Sequence, residues 1–150
     1  MIGLTAACVW EEYMSNYYEI FENQLPERLK AELDSAKKLG VKPIKIGEPG
    51  FDAVINEGTI KWAVTTNRDL VVIPYLVGSI EVNHTVLTNG EPVLAAGDAE
   101  IAGHEGQYFM ISISNRSGHY QPSPDSLNIG MEAFKERGID PTDADKIIEG

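Results

Sequence analysis

Three consecutive pieces decide the fold class: Ile60-Lys61-Trp62-Ala63-Val64-Thr65-Thr66, the turn Asn67-Arg68-Asp69, and Leu70-Val71-Val72-Ile73-Pro74-Tyr75-Leu76. Upstream of residue 60, apolar side chains recur every three or four positions. From residue 60 they gather in short runs rich in β-branched residues and bounded by turn residues, which is the pattern of strands. Pro74 has no N–H to give a ladder, so the second run belongs at a sheet edge or carries a bulge. Gly78-Ser79 leads into a third run, Ile80 to Leu87, and Asn89-Gly90 is a tight-turn signal. Pro92 to Ala102 follows, with Gly97 as a bulge or a point of close backbone approach. His104-Glu105-Gly106 turns into Gln107 to Asn115. Runs this short with links this short predict a largely antiparallel meander.

Outward from the strands the periodicity is helical. Trp10, Tyr13, Met14, Tyr17 and Phe21 form one stripe and predict a helix over 7–23. Pro26 suits the first turn of a second helix, along which Leu25, Leu29, Leu33 and Ala36 share a face. Lys37-Lys38 complement its C-terminal dipole, and Gly40 ends it. Residues 41–59 read as a loop-rich connection, pinned by one helical turn through Phe51, Val54 and Ile55. Downstream, Ser123-Pro124 is a cap followed by a first helical residue, Leu127, Met131 and Phe134 make a buried stripe, and Gly138 stops the helix. Asp140-Pro141 repeats the start for a short terminal helix. The expected fold is α+β in a single domain, 1–150. It is helical over 1–40, loop-rich over 41–59, a twisted and mainly antiparallel sheet of about five strands over 60–116, and helical again over 123–150.

Charge limits function. The formal charge is −11, acids lie in both halves, and no Lys/Arg cluster stands out, so extended duplex nucleic acid is excluded as a partner. A small anion in a local pocket remains open, because charges beyond about 10 Å are screened. The same acidity suits a module that covers a basic partner. No apolar run is long enough to span a bilayer, and no membrane partner is expected. Met1 to Trp10 lacks the basic flank of a signal peptide. The single Cys8 reads as a small core residue, no Cys/His spacing suggests zinc, and Ala95-Ala96-Gly97 lacks phosphate-loop spacing, so no metal or cofactor is expected.

The densest chemistry lies in Ser114-Asn115-Arg116-Ser117-Gly118-His119-Tyr120-Gln121-Pro122-Ser123-Pro124, where a guanidinium, an imidazole, a phenol and hydroxyls share a turn that Gly118 makes sharp. Strand alternation in Ile80 to Leu87 puts His84 on the face of Ile80, Val82 and Val86, towards the core or a cleft in it. A lone histidine there is more often a satisfied core group. With His119 following another strand of the meander, the two imidazoles can serve as base and acid across one reacting group. Arg116 and Arg68 are candidates for gripping a phosphate. Ser117, Tyr120 and Thr85 can orient a ligand or donate to a developing anion. Each also has an ordinary place in a turn or strand, and His104 reads as an exposed turn residue.

Several of these pieces carry a resemblance. Val64-Thr65-Thr66-Asn67-Arg68-Asp69-Leu70, His84-Thr85-Val86-Leu87, Pro92-Val93-Leu94-Ala95-Ala96-Gly97 and Ser117-Gly118-His119-Tyr120-Gln121-Pro122-Ser123, in this order, resemble C-terminal domains of bacterial polymorphic toxins of the Rhs/YD-repeat type. The order is also similar to that in plant IQ-motif calmodulin-binding proteins, although Thr85-Val86 replaces two serines and no IQ motif is present. Helices followed by a meander resemble small ribonuclease toxins of the barnase/EndoU-like kind. The resemblance implies an effector delivered into a target cell as the C-terminal part of a larger protein, acting in the cytoplasm and met by a cognate immunity protein. The leading expectation is RNA cleavage by His84 and His119, with Arg116, Ser117 and Tyr120 holding the phosphate. An NAD-consuming or ADP-ribosyltransferase toxin is the second, and a non-catalytic acidic immunity or binding module the third.

Overall fold

The computed structural model describes residues 19–150. The main sheet has the strands β1 (Ile60–Thr65), β2 (Leu70–Pro74), β5 (Val93–His104), β6 (Gln107–Ser114) and β7 (Asp145–Ile147), in the order β2-β1-β5-β6-β7. All neighbours are antiparallel except β6 and β7, which are parallel. β3 (Leu76–Val77) and β4 (Ile80–Glu81) form a separate two-stranded ribbon. The helices are α1 (Leu29–Leu39), α2 (Phe51–Glu57), α3 (Thr85–Thr88) and α4 (Leu127–Glu136). The class is therefore α+β, as the alternation of helical and strand periodicity implies.

Alternation along β1 builds the two faces. Ile60, Trp62 and Val64 point to one side, where α2 brings Phe51 and Ile55 and α4 brings Leu127, Ala133 and Phe134. This side is dry: Trp62 and Phe134 are fully buried with their rings edge to face at 5.8 Å, and Gly130 of α4 leaves room for the indole. The indole N–H is satisfied by the carbonyl of Asp98 at 3.0 Å. On the other side Ala63, Val71, Ile73 and Ala96 meet Ala36 of α1 with Val86 and Leu87 from α3. That second layer covers only part of its face. Further along, the cross-strand pairs Lys61–Asp98 and Glu100–Ser112 continue the same face with polar side chains, and there a cleft opens.

Several expectations change. Most of the helix predicted over 7–23 lies outside the described residues. Phe21, at its expected end, pairs with Val93 as an extended bridge instead. The run Ile80 to Leu87 is not one strand: it leaves the ribbon after Glu81 and turns into α3, so His84 stands at the N-terminal boundary of a helix, with no capping bond from its side chain. With that strand lost to the sheet, β1 pairs with β5 and the order departs from a sequential meander. Asn89-Gly90 consequently closes a helix rather than a hairpin, with Asn89 in the left-handed region at φ 57°. The turn after β6 does not use Gly118 for a left-handed residue; Gln121, at φ 46°, takes that conformation. Asp140-Pro141 begins a turn rather than a helix, with Asp140 accepting from the Thr142 N–H at 3.0 Å, and the chain then adds β7 to the sheet.

Other expectations hold. Pro26 opens a 3-10 turn that runs into α1, and Gly40 closes α1 at φ 73°. β2 with Pro74 is the end strand of the sheet, flanked among the described residues only by a bridge from Val72 to Ile44. Gly97 is a close-approach position: a Cβ there would stand 1.7 Å from the carbonyl oxygen of Ser114. Ser123 caps the start of the last helical segment by accepting from the Ser126 N–H at 3.3 Å.

Candidate active-site cleft

The cleft has a volume of about 830 Å³. Lys61, Asp98 and Ser112 form part of its lining from the sheet, Leu76 and Glu81 come from the ribbon and Tyr75 from the link before it, and Arg116 to His119 come from the turn after β6. Glu149 reaches it from beyond β7. It is held there by Asn115, whose side chain donates to the Glu149 carbonyl and accepts from its N–H, both at 2.8 Å.

His119 and His84 both line this cleft, in unlike settings. The His119 Nε2 lies 2.5 Å from Oε2 of Glu32, and the other oxygen of that carboxylate accepts from the Thr85 hydroxyl at 2.8 Å. Glu32 is therefore a buried carboxylate oriented by one partner and orienting another, as in carboxylate–imidazole pairs that serve proton transfer. With Nε2 engaged, Nδ1 is the ring nitrogen left for a ligand. Thirteen percent of the His119 side chain remains exposed. His84, by contrast, is buried, and since a carbonyl can only accept, its Nε2 carries the proton it donates to Gly97 O at 2.8 Å. Burial, then the Lys61 charge, lowers the His84 pKa to about 3, so the ring is neutral near pH 7.

Two ion pairs complete the site. Lys61, with only 6% of its side chain exposed, reaches Oε2 of Glu81 at 3.1 Å and lies 4.5 Å from the centre of the Tyr75 ring. Burial pushes the Lys61 pKa down, and the Glu81 carboxylate opposes it. Arg116 meets Asp98 at 3.3 Å, and Asp98 also accepts from the Ser114 hydroxyl at 2.7 Å. Counted over its lining, the cleft holds five carboxylates (Glu57, Glu81, Asp98, Glu100, Glu149) against three fixed cations (Arg28, Lys61, Arg116).

Of the residues singled out in the sequence, His84, His119, Arg116 and Ser117 come together around the cleft. Ser117 also accepts from the Tyr120 N–H at 3.3 Å. Tyr120 does not line the cleft. Its ring is buried beneath α3, and its hydroxyl donates to Glu91 O at 2.9 Å and meets Thr88 at 3.1 Å. Thr85 is fully buried and serves Glu32 rather than a ligand. Arg68 sits in the β1–β2 turn at φ 66°, away from the cleft, with its carbonyl taken by Arg137.

Glu32, Lys61, Glu81, Asp98 and Tyr75 escaped the sequence reading. Two carried a signal. Glu32 stands three residues after Leu29 and four before Ala36, on the apolar stripe of α1, where an unpaired carboxylate is costly. Lys61 interrupts a strand that is otherwise apolar from Ile60 to Val64. No protein-family model, curated protein or solved structure matches the chain. The resemblance to polymorphic-toxin and IQ-motif proteins therefore rests on the quoted motifs.

Proposed function

We propose that the chain is a toxin-type effector domain whose cleft takes a single nucleotide, with NAD as the substrate class, and that His119 is its proton-transfer group. The observation that carries this reading is the Thr85–Glu32–His119 chain of hydrogen bonds ending on a cleft wall. Glu32 fixes the imidazole, and Nδ1 takes the proton of a water or acceptor hydroxyl as its oxygen attacks the ribose carbon of the glycosidic bond. Nicotinamide leaves with the bonding electrons, which neutralise its ring. The volume suits a nucleotide, since sites for small molecules run from about 300 to 1,000 Å³. The excess of carboxylates opposes a polyanion but tolerates a ligand that carries a cationic ring beside its phosphates.

The second reading, RNA cleavage by two histidines, is favoured by one observation: both rings line the same cleft. It requires His84 to act as the base, and a pKa of about 3 makes it a weak one. Delivery as part of a larger protein and capture by a cognate immunity protein belong to the proposal through the toxin resemblance.

Purified protein incubated separately with NAD and with labelled RNA tests the assignment. Nicotinamide release with intact RNA is expected, and His119→Ala should lower the rate by about a hundredfold or more. RNA cleavage without nicotinamide release would replace this reading by the second. Inertness towards both from acid to alkaline pH would leave the acidic binding module.

A further inference from the structure

The ribbon β3–β4 supplies the carboxylate that pairs with Lys61 in the cleft. Glu81 is half exposed, its side chain 52% accessible, and it stands on a strand of two residues outside the main sheet. Its partner is the reverse: Lys61 sits on β1, between β2 and β5, with its ammonium almost out of water. Tyr75 is close enough that, after burial, the Glu81 charge raises its pKa. Arg116, which lines the same cleft, keeps a buried Nε–H without a partner, the only such side-chain donor among the described residues. A buried ammonium and a guanidinium line one cleft, and the ammonium is met by a carboxylate from a slender ribbon: a fixed pair of cations with a removable acceptor on one of them.

We infer that Lys61 and Arg116 form a phosphate-binding subsite, and that Glu81 occupies the ligand's place on Lys61 in the free protein as an internal latch. The inference rests on the nucleotide reading of the cleft and names the part of the nucleotide held there, its diphosphate. Asp98 stays where it is, because its carboxylate accepts from the Ser114 hydroxyl, whose oxygen in turn accepts from the Asp98 N–H. Glu81 is the group that moves, swinging out with the ribbon as the diphosphate takes over the ammonium. Binding is thus an exchange of one anion for another on a lysine that remains paired throughout, which avoids stranding a buried charge. The latch also gives selectivity: a ligand must bring an anion strong enough to displace a carboxylate, so neutral nucleosides are turned away.

Calorimetric titration of the whole chain with inorganic pyrophosphate and with ADP-ribose tests this. Glu81→Gln keeps the shape and weakens the latch, and both probes should bind about tenfold more tightly, since one displaced ion pair is worth on the order of a single decade. Glu100→Gln removes the same charge from the same cleft without touching Lys61, and should change affinity by less than about twofold. Lys61→Met should abolish pyrophosphate binding; if that variant does not fold, the two glutamine variants decide alone. Equal gains in both glutamine variants would overturn the latch in favour of a general field effect, and no gain in Glu81→Gln would overturn it outright. The titrations need no turnover. Tighter pyrophosphate binding by Glu81→Gln together with inertness towards NAD would keep the subsite and discard the proposed reaction.

Discussion

His84 and His119 line one cleft and are built to opposite ends. His84 is sealed in, gives its one proton to a main-chain carbonyl and is held neutral. His119 stands at the rim, its ring set by a carboxylate that is itself set by a hydroxyl. A fixed neutral donor contributes shape, whereas a ring held through Nε2 by a carboxylate keeps its orientation and leaves Nδ1 unengaged. The pair teaches that sharing a pocket does not make two histidines an acid and a base; the groups behind each ring assign its part. The same division runs through the sheet, where Trp62 faces a dry layer and Lys61, its neighbour on β1, faces the cleft.

The harshest way to break the comparison is at the support of His84. Gly97 presents the carbonyl that His84 bonds, and its Cα lies against the backbone of β6. A methyl group there would meet the Ser114 oxygen at 1.7 Å and the Ser114 carbonyl carbon at 2.7 Å, so β5 and β6 must part. Gly97→Ala should cost more than about 4 kcal/mol and leave little folded protein, read by circular dichroism and urea unfolding. A folded Gly97→Ala protein of near-parent stability would show that β5 and β6 separate cheaply and that His84 is not rigidly seated.

Behind His119, Thr85→Val preserves volume and removes the hydroxyl that Glu32 accepts from. Thr85 is fully buried, so no water replaces it readily, and losing a hydrogen bond to a charged group should cost about 2–3 kcal/mol. Turnover should fall as well, because Glu32 loses the partner that orients it. Unchanged urea stability would mean that the carboxylate does not depend on Thr85.

The third test uses pH. The His84 pKa falls from an ordinary 6.5 to about 3 in the folded chain. Above pH 6.5 both folded and unfolded chains carry the neutral ring, and His84 adds no pH dependence. Below 6.5 the unfolded chain takes up a proton that the folded chain refuses, so stability drains away until the pH nears 3. Between pH 7 and 5 this amounts to about 2 kcal/mol. His84→Gln retains an N–H donor for Gly97 O but cannot titrate, so its stability should fall by about 2 kcal/mol less than the parent's over that interval. Parallel unfolding curves for the two proteins would place His84 in contact with water.

How much of this was legible in the sequence follows from the range of each interaction. The strand runs around Asn67-Arg68-Asp69, the Pro26 and Ser123 helix starts and the close approach at Gly97 are local, and local chemistry specified them. The segment Ile80 to Leu87 was misread because Ile80, Val82 and Val86 fit an alternating strand, while Thr85, Val86 and Leu87 fit a short buried helix. Only the docking of α3 beneath α1 decides between them, and that is a tertiary fact. His119 was visible in its turn, but Glu32 lies 87 positions earlier, and nothing short of the folded chain brings the two together. β7 was missed for a related reason: a three-residue strand gains its ladder only after α4 has carried the chain back beside β6.

The mildest test concerns the far end of the turn that carries His119. Ser123 accepts from the Ser126 N–H at 3.3 Å and donates to Glu19 at 2.7 Å, an exposed contact. An N-cap hydroxyl satisfies one backbone donor that the helix itself cannot, so Ser123→Ala should lower stability by about 1 kcal/mol. The His119 ring is held by Glu32 rather than by the cap, and three residues separate it from Ser123. Nicotinamide release by Ser123→Ala at a temperature well below its unfolding midpoint should therefore match that of the parent. A protein as stable as the parent but inactive would invert the assignment, taking Ser123 out of the scaffold and making it a group that touches the substrate. Loss of both together would mean that the cap sets the position of the whole turn, and that His119 depends on the start of α4 as well as on Glu32.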